Sequence, residues 1–331
     1  MRLGIIGSTG HINYVMNGLR ELPHVHLVGV SAGSLGESID NLIRIVHQEG
    51  HSPTLYSNFI ELLDQAKPDI VAVACYFHDH AKIAAEALRR GIHVFVEKPV
   101  ATSLEDLDML KEAYQSSGQA QLAAMFGIRY DPAFYTAWHA VKNGAVGRIR
   151  LLHAQKSYRL GKRGEHFTSR QTYGGTIPWV GSHAIDWVHW YSGERFETVY
   201  ASHSTQDNGG HGELETTAMC LFTMSNEVSA TVSIDYLRPT AAPTHGDDRI
   251  RITGAEGILE IRDQQVLLIN GNESGVQMLP LLPKIEIFAD FVRQITEGSV
   301  CLVSPEDAFY VTEACLRAVI AADEKRVIRF E

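Results

Sequence analysis

The strongest constraint on the fold is a regular alternation of short apolar segments and amphipathic helical segments over the first 126 residues. The apolar segments predict six strands, at residues 3–6, 25–30, 55–56, 69–75, 94–96 and 122–126. Repeated β–α units of this length are typical of a parallel sheet with helices packed on both faces. The sequence therefore predicts an α/β, doubly wound first domain.

Two Ser/Thr-x-x-Glu patterns predict where helices begin in this domain. Ser34 and Glu37 fit a capping box, in which each side chain binds the backbone N–H of the other residue. Thr102 and Glu105 fit a second capping box after the fifth strand. Each pair is therefore expected to start a helix.

The residue pattern changes after residue 126, where strand-like alternation replaces the β–α repeat. Alternating segments predict strands at residues 199–203, 216–223, 228–236, 250–253, 258–261 and 266–268. Such strands are typical of a large, mostly antiparallel sheet. Two helices follow them, at residues 285–296 and after Pro305. We therefore expect an α/β domain over residues 1–124 and an α+β domain over residues 125–331.

The composition of the 331 residues argues against several classes of protein. A formal net charge of -10 argues against general affinity for nucleic acid or for anionic membranes. No stretch approaches the length of a membrane span, and the first apolar run is too short for a signal peptide. The four cysteines stand far apart without metal-ligand spacing. We therefore expect reduced, mostly buried thiols in a cytoplasmic protein without a metal site.

A predicted buried strand that ends in two charges marks the first candidate site. Residues 94–96 are apolar, and Glu97, Lys98 and Pro99 follow them directly. Pro99 ends the strand because it has no backbone N–H to donate. Ligands of open α/β sheets bind beyond the carboxyl ends of the strands, which is where Lys98 is expected. A solvated Glu–Lys pair before an ordinary proline turn is the alternative that these three residues leave open.

The turn after the first strand carries a partial dinucleotide-binding pattern. Gly7 fills the first position of G-x-G-x-x-G, whereas Thr9 and Ile12 stand at the second and third glycine positions. The second strand ends between Ser31 and Ser34 without the Asp or Glu that would hold a ribose 2′-hydroxyl group. No adjacent Arg is present to bind a 2′-phosphate. The choice between NAD and NADP is therefore open, and only modest discrimination is expected.

A second candidate site lies on a predicted helix of the second domain. His183 and Asp186 are three residues apart, so they share a helical face and the carboxylate could orient the imidazole. The alternative is that His183 packs beneath the aromatic residues that follow it. Residues 156–166 are rich in Lys and Arg. They form either a solvated basic loop or a surface that recognises an anionic or hydroxyl-rich substrate.

Taken together, these motifs resemble the Gfo/Idh/MocA family of nicotinamide-dependent oxidoreductases over nearly the whole chain. The most specific motifs are Glu97-Lys98-Pro99, Arg129-Tyr130-Asp131-Pro132, residues 144–149, and Gly174-Gly175 leading to His183-x-x-Asp186. The resemblance implies a Rossmann domain that binds NAD or NADP, followed by a domain for substrate binding and oligomerisation. It also implies that Lys98 and His183 are the catalytic residues.

The resemblance further indicates which residues are expected to contact each ligand. The expected cofactor-binding residues are Gly7, Ser8, Thr9, Gly10, His11, Ile12, Ser31, Ser34, Cys75, Tyr76, Phe77, His80, Glu97, Lys98 and Pro99. The expected substrate-binding residues are Arg129, Tyr158, Arg163, Trp179 and His183.

The chain departs from the family pattern at four places. Thr9 and Ile12 replace turn glycines, and no acid ends the second strand. Tyr76 and Phe77 stand where members often have Pro-Asn, and Trp179 replaces an Asp that is common four residues before the histidine. An indole cannot accept a proton. Trp179 therefore either stacks on the face of a sugar or packs with the aromatic residues of the following helix.

The function implied by the resemblance is hydride transfer between the nicotinamide and a sugar, polyol or related hydroxylated compound. Two alternatives stay open: transient oxidation that drives an epimerisation or elimination, and ligand sensing without turnover. The expected partner is a carbohydrate-like small molecule, with neither nucleic acid nor membrane. A homodimer or homotetramer is also expected, because the antiparallel sheet buries only one face within its own domain.

Overall fold

The computed structural model of the chain describes residues 1–330, which divide into two units. Unit 1 comprises Met1–Gly127, Gln171–Gly174 and Ile285–Thr312. Unit 2 comprises Ile128–Arg170, Gly175–Lys284 and residues 313–330. The predicted fold class is confirmed, since the chain forms a six-stranded parallel sheet and a nine-stranded, mostly antiparallel sheet.

The parallel sheet of unit 1 is built from the six strands that the apolar segments predict. These are β1 (Arg2–Ile6), β2 (His26–Ser31), β3 (Thr54–Leu55), β4 (Ile70–Val73), β5 (His93–Val96) and β6 (Leu122–Ala124). Their order across the sheet is β3-β2-β1-β4-β5-β6, and every neighbouring pair is parallel. The carboxyl ends of β1, β4 and β5 are therefore adjacent at one edge of the sheet.

Ten α-helical segments accompany the sheets within the described residues 1–330. They are α1 (Ile12–Leu19), α2 (Asp40–Gln48), α3 (Phe59–Glu61), α4 (His80–Arg89), α5 (Leu104–Ser116), α6 (Pro132–Lys142), α7 (Arg170–Tyr173), α8 (Ser182–Ser192), α9 (Ile287–Glu297) and α10 (Pro305–Glu324). The late helix α9 returns to the first sheet, where Phe288 and Phe291 pack on Phe95 of β5 at ring-centroid distances of 5.3 and 5.6 Å. It also crosses α1 at Gly18, where a Cβ atom would lie 2.8 Å from that of Phe288.

Both predicted capping boxes are wrong in detail. The N-cap of α5 is Ser103, whose hydroxyl accepts a hydrogen bond from the Asp106 N–H at 3.1 Å, so the predicted start is one residue early. Helix α2 begins at Asp40, well after Ser34. The Ser34 hydroxyl accepts from the Tyr76 N–H at 3.1 Å, and it therefore joins two turns of the sheet instead of capping a helix.

The sheet of unit 2 combines long strands with short edge strands. Its strands are β7 (Ile149–Tyr158), β8 (Phe196–Ser204), β9 (Thr217–Met224), β10 (Val228–Asp235), β11 (Gly246–Gly254), β12 (Gly257–Arg262), β13 (Gln265–Asn270), β14 (Gln277–Met278) and β15 (Ile328–Arg329). Their order is β14-β13-β12-β11-β7-β10-β9-β8-β15. The pair β7–β10 is parallel, whereas the other neighbours are antiparallel.

The two faces of this second sheet differ in burial. Side chains of β9 alternate between buried and exposed along the whole strand, as expected for a sheet covered on one face. The helices α6 and α8 pack against the sheet. Large apolar side chains nevertheless remain on the uncovered face, namely Leu151, Tyr200, Met219, Leu221 and Ile269.

The four cysteines are buried and none forms a disulfide bond. Among the helices of residues 1–330, none combines the length and the apolar character that a membrane crossing requires.

The assignment of Ser103 as the N-cap of α5 can be tested by mutation. We expect Ser103→Ala to lower the free energy of unfolding by about 1 kcal/mol, because the Asp106 N–H loses its acceptor. Thr102→Val is the matched control, since it removes a neighbouring hydroxyl group while preserving the side-chain shape. Urea unfolding would measure both variants, and a larger loss for Thr102→Val would contradict the assigned cap.

Candidate functional site

The turn between β1 and α1 lies close to the ends of β4 and β5 because two of its residues are glycines. Gly7 has φ +91°, and a Cβ atom there would lie 2.4 Å from the backbone nitrogen of Cys75. Gly10 has φ +97°, and a Cβ atom there would lie 2.5 Å from Oε2 of Glu97. Both positions therefore require glycine for conformation and for space.

The carboxylate of Glu97 joins the end of β5 to the residue that precedes α1. Its Oε2 atom accepts the backbone N–H of His11 at 2.7 Å and lies 2.8 Å from Nδ1 of the same residue. Its Oε1 atom accepts the N–H of Lys98 at 3.0 Å. Burial alone would raise the pKa of this carboxyl group, but His11 and Lys98 together lower it from 4.5 to about 2. Glu97 is therefore a fully buried carboxylate that fixes the turn to the strand.

The residues that follow Glu97 are buried and tightly held. Lys98 is 2% exposed, and the Lys98–Pro99 peptide bond is cis. His80 is fully buried, with Nδ1 at 2.8 Å from the Pro99 carbonyl oxygen and Nε2 at 3.1 Å from that of Cys75. Burial lowers the pKa of this imidazole against the opposing effect of the two carbonyl groups. His80 thus connects the segment after β4 to the segment after β5.

The remaining predicted cofactor residues surround the ends of β2 and β4. Cys75 and Phe77 are buried, and Tyr76 is half-buried. Ser31 is fully buried at the end of β2, and its hydroxyl oxygen has no hydrogen-bond partner within residues 1–330. A polar atom buried without a partner is unusual.

One carboxylate of this region was assigned by sequence reasoning to a helix cap. The Glu37 side chain accepts the N–H groups of Ser8, Gly33 and Ser34 at 2.9, 3.1 and 3.2 Å. It also accepts the hydroxyl group of Thr9 at 3.0 Å. The spacing from Ser34 to Glu37 predicts only a local cap, and nothing in the sequence indicates the contact with the turn 29 residues earlier.

These features together fit a dinucleotide. The turn after the first strand leads into the N-terminus of α1, which is where sheets of this kind bind the pyrophosphate of a dinucleotide. All of the predicted cofactor residues belong to unit 1.

In unit 2, Arg129 and Asp186 form a buried ion pair. Each residue is 1% exposed, and the Arg129 guanidinium binds Asp186 through Nε at 3.0 Å and Nη2 at 2.6 Å. The guanidinium also lies over the ring of Trp190, 5.3 Å from its centroid. Arg129, a predicted substrate residue, is thus packed in the interior. Asp186, predicted to orient His183, has its carboxylate engaged by Arg129.

His183 lies on α8, directly after a π-helical turn over Ile177–Gly181. It is 2% exposed. The turn carries Trp179, which is half-buried, with its ring 5.9 Å from that of Phe167. The turn packs closely on β10, since a Cβ atom at Gly181 would lie 2.3 Å from the Cδ1 atom of Ile234. Trp179 therefore has an aromatic neighbour and also keeps a surface that a ligand can reach.

The basic segment after residue 155 is not a solvated loop at its start. Lys156 lies on β7, fully buried, and forms an ion pair with Asp248. Its ammonium nitrogen is 4.8 Å from the ring centroid of Tyr158 and 5.3 Å from that of Trp187. Burial disfavours the charge, but Tyr158 and Asp248 outweigh this effect and raise the pKa of Lys156. This lysine is a fixed positive charge beside Tyr158.

Arg163 is held by aromatic rings and forms no salt bridge within residues 1–330. Its guanidinium carbon lies 4.8 Å from the ring centroid of Tyr236 and 5.6 Å from that of Phe167. Its Nη2 donates to the carbonyl oxygen of Arg159 at 3.2 Å. Phe167 is also the neighbour of Trp179, so Arg163 and Trp179 share one aromatic cluster. The cluster combines a positive charge with a half-buried indole.

Two protein-family models match the chain. A model of the oxidoreductase family with an NAD-binding Rossmann fold matches residues 1–125. A model of the GFO/IDH/MocA C-terminal domain matches residues 134–260. The two matches follow each other in the same order as the two sheets.

Individual relatives agree with these models. Inositol 2-dehydrogenase of Salmonella paratyphi B is 25% identical over 60% of the chain, and the match spans only 54% of that enzyme. Myo-inositol 2-dehydrogenase of Thermotoga maritima is 23% identical over 100% of the chain and 99% of its own length. A solved structure of an oxidoreductase from Thermotoga maritima is 47% identical, with a TM-score of 0.96 and full coverage of both chains.

The depressed pKa of Glu97 predicts how the protein responds to acid. Because the folded pKa is below the unfolded one, the carboxylate stabilises the fold above pH 4.5 and loses this contribution as the pH falls towards 2. We expect Glu97→Gln to lower the free energy of unfolding by roughly 3 kcal/mol at pH 7 and to weaken its decrease between pH 4.5 and 2. Urea unfolding across this pH range measures both effects.

The control is Glu105→Gln, which removes an exposed carboxylate from the same unit. Its free energy of unfolding should decrease between pH 4.5 and 2 as much as that of the wild-type protein. If the free energy of unfolding of Glu97→Gln changed with pH in the same way as that of the wild-type protein, the assigned role of the carboxylate would be contradicted.

Proposed function

Because the chain belongs to the Gfo/Idh/MocA family of oxidoreductases, we propose that it is an NAD(P)-dependent dehydrogenase or reductase. Its substrate is a CH–OH group of a sugar, polyol or related hydroxylated compound. The observation that carries the proposal is the bonding of Glu97 to the turn before α1 and to Lys98. Similarity to two inositol dehydrogenases supports a polyol-like substrate.

The cofactor-binding residues belong to the ends of the first sheet. In this proposal the turn from Gly7 to Ile12 holds the pyrophosphate, and Ser31 lies beside the adenosine ribose. The segment from Cys75 to Phe77 and the segment from Glu97 to Pro99 complete the binding surface. A bound nicotinamide supplies or accepts the hydride. The protein contributes alignment and a path for the proton.

Lys98 and His183 handle the proton in this proposal. Oxidation of a CH–OH group requires that the hydroxyl proton leave, and a positioned side chain accelerates such a transfer by about 10²–10⁴-fold. In this proposal Lys98 of unit 1 and His183 of unit 2 are the candidates for binding the reacting oxygen and for exchanging its proton. Both side chains are nearly inaccessible to water, which limits competing proton exchange.

The aromatic cluster of unit 2 is proposed to bind the body of the substrate. The indole of Trp179 offers an apolar face that suits the C–H groups of a sugar or cyclitol ring. Arg163 offers hydrogen-bond donors and a positive charge that no carboxylate of residues 1–330 neutralises. Tyr158 lies beside Lys156 in the same unit. The cluster therefore suits a substrate with hydroxyl or carboxylate groups.

Kinetics of single variants test this proposal. We expect Lys98→Ala and His183→Ala to lower kcat by about 10²-fold or more, because they remove groups that act on the reacting proton. Trp179→Ala should mainly raise KM, by roughly tenfold, because it removes binding surface. NADH or NADPH absorbance measures the rates with myo-inositol, hexoses and hexonic acids as substrates.

Matched controls separate these effects from general destabilisation. Lys82→Ala removes an exposed lysine of α4, and His189→Ala removes another imidazole of α8. Both should retain nearly wild-type kcat. Near-wild-type turnover by His183→Ala would refute its role in proton transfer. Absence of binding to either dinucleotide would refute the dehydrogenase proposal as a whole.

We also propose that the uncovered face of the second sheet binds a second copy of the chain. Neighbouring strands place Tyr200 opposite Leu221, and Met219 and Leu151 lie on the same side of the sheet. These side chains are between 43% and 54% exposed, and they alternate with buried residues along their strands. Self-association would remove this apolar surface from water. The expected assembly is a homodimer or homotetramer.

Light scattering on the purified protein tests the assembly. We expect an oligomer at micromolar concentration and dissociation in Leu221→Glu, because burial of an unpaired carboxylate at the interface is costly. Leu55→Glu is the control, since Leu55 is an equally apolar exposed residue of β3 in unit 1. It should leave the molar mass unchanged. A monomeric wild-type protein would contradict the proposal.

A further inference from the structure

Two arginines that follow β7 have no acidic partner. Arg159 comes directly after the end of β7, and its backbone N–H donates to the His245 carbonyl oxygen at 3.1 Å. Arg163 lies four residues later, with its guanidinium over the rings of Tyr236 and Phe167. Neither arginine forms a salt bridge within residues 1–330. Two positive charges of unit 2 are therefore held in place without a carboxylate to compensate them.

Neighbouring cations on β7, on β11 and in the segment between β10 and β11 each bind a carboxylate. They are Lys156, which pairs with Asp248, and Arg238 and Arg249, which both pair with Asp247. Such partners compensate the cost of removing a charge from water. The charges of these three cations are thus used within the fold, whereas those of the two arginines after β7 are not.

Both arginines also keep hydrogen-bond donors that the protein does not use. A guanidinium group carries five N–H donors in a planar fork. Nη2 of Arg159 donates to the Ala242 carbonyl oxygen, and Nη2 of Arg163 donates to the Arg159 carbonyl oxygen at 3.2 Å. Both side chains are half-buried, and Nη1 of each is neither bonded nor enclosed within residues 1–330. These N–H groups can therefore donate to a ligand.

The two charges act on one region of unit 2. Burial lowers the pKa of the His245 imidazole, and the charges of Arg163 and Arg159 lower it further. The imidazole stacks on Tyr158, with the ring centroids 5.2 Å apart. Positive charge that makes a further proton less favourable makes an anion more favourable. The region around these rings therefore attracts an anionic group.

Arg163 also borders the surface proposed to bind the body of the substrate. The guanidinium of Arg163 and the ring of Trp179 have Phe167 as a common neighbour, at 5.6 and 5.9 Å. Burial raises the pKa of the Tyr236 phenol, and Arg163 and Trp179 both oppose this increase, so both lie near the phenol. An anionic group bound at Arg163 would therefore belong to a molecule whose ring lies on Trp179.

We propose that Arg159 and Arg163 bind an oxyanion of the substrate, either a carboxylate or a phosphate group. The inference rests on the proposed dehydrogenase function and specifies its substrate, which is a sugar acid or a sugar phosphate rather than a neutral polyol. Guanidinium groups bind both oxyanions through charge-assisted hydrogen bonds, which are about twice as strong as bonds between neutral groups. Backbone bonds and aromatic rings already hold the two arginines, so binding costs little side-chain entropy.

Steady-state kinetics with matched sugars and either dinucleotide test the inference. Glucose, glucuronate and glucose 6-phosphate differ only at carbon 6, as do galactose, galacturonate and galactose 6-phosphate. Glucitol and gluconate form a third, open-chain set. We expect at least one anionic compound to have a kcat/KM at least about tenfold above that of its neutral counterpart. Comparison of the acids with the phosphates then shows which oxyanion the site binds.

Variants of one arginine test whether it causes the preference. Arg163→Gln should reduce the ratio of anionic to neutral kcat/KM by at least about fivefold, because the amide keeps donors but carries no charge. Arg163→Lys keeps the charge and should retain part of the ratio. Lys162→Gln is the matched control, since it removes a positive charge from the adjacent, exposed position, and the ratio should stay unchanged.

A binding measurement removes the dependence on turnover of these particular sugars. Thermal unfolding is followed with each compound at equal ionic strength, because a ligand of the folded state raises Tm. We expect the anionic compounds to raise Tm by at least about 1 °C more than their neutral counterparts. Arg163→Gln should remove this difference, and Lys162→Gln should preserve it.

The outcomes separate this inference from the proposed function. Turnover without an anionic preference, or a preference that is unchanged in a folded Arg163→Gln variant, would overturn the role of the arginines while leaving a dehydrogenase. Anion-dependent stabilisation that is lost in Arg163→Gln, without turnover of any compound, would support the anion site and contradict the dehydrogenase. Absence of an anionic preference in both measurements would overturn the inference.

Discussion

The candidate site of unit 1 depends on one buried charge, the carboxylate of Glu97. An ionised carboxylate away from water is costly unless hydrogen bonds and opposite charges compensate it. The N–H and ring of His11 and the N–H of Lys98 provide that compensation. Because the carboxylate occupies the space beside Gly10, any larger residue at that position would collide with it. Glycine at position 10 is therefore required by the buried carboxylate at the end of β5. The same carboxylate binds the backbone N–H of Lys98 and so fixes the position of that residue's backbone.

The second unit uses buried charges in a comparable way. The ion pair of Arg129 and Asp186 and that of Lys156 and Asp248 each link chain segments that are far apart in sequence. Removing one member of such a pair leaves the other charge buried and unpaired, which is more damaging than replacing both. Arg129 was expected at the substrate from the family resemblance. In the structure its guanidinium binds Asp186 of α8, so Arg129 helps to fix the helix that carries His183.

Much of the fold was predictable because burial leaves a local pattern in the sequence. Parallel strands covered on both faces are continuous apolar runs, and the strands of the second sheet alternate because one face is uncovered. Contacts between distant residues leave no such pattern. The pairing of Arg129 with Asp186 spans 57 residues, and that of Glu37 with Ser8 spans 29. The same limit explains the error in the helix cap. Ser103 and Thr102 are both suitable cap residues by type, and the spacing to the next acidic residue does not show which of them has the extended backbone of an N-cap.

Departures from a sequence motif need not remove the physical property that the motif encodes. The glycine pattern of dinucleotide sites keeps the turn after the first strand free of side chains, and here Gly10 leaves that space to the Glu97 carboxylate although Thr9 and Ile12 interrupt the pattern. No acid ends the second strand, yet the Glu37 carboxylate joins the turn after that strand to the turn after β1. A departure from the motif therefore has to be judged by the contacts that the folded chain makes around it. The position of a residue in a motif therefore does not by itself specify its chemical role, because that role depends on which atoms the fold brings together.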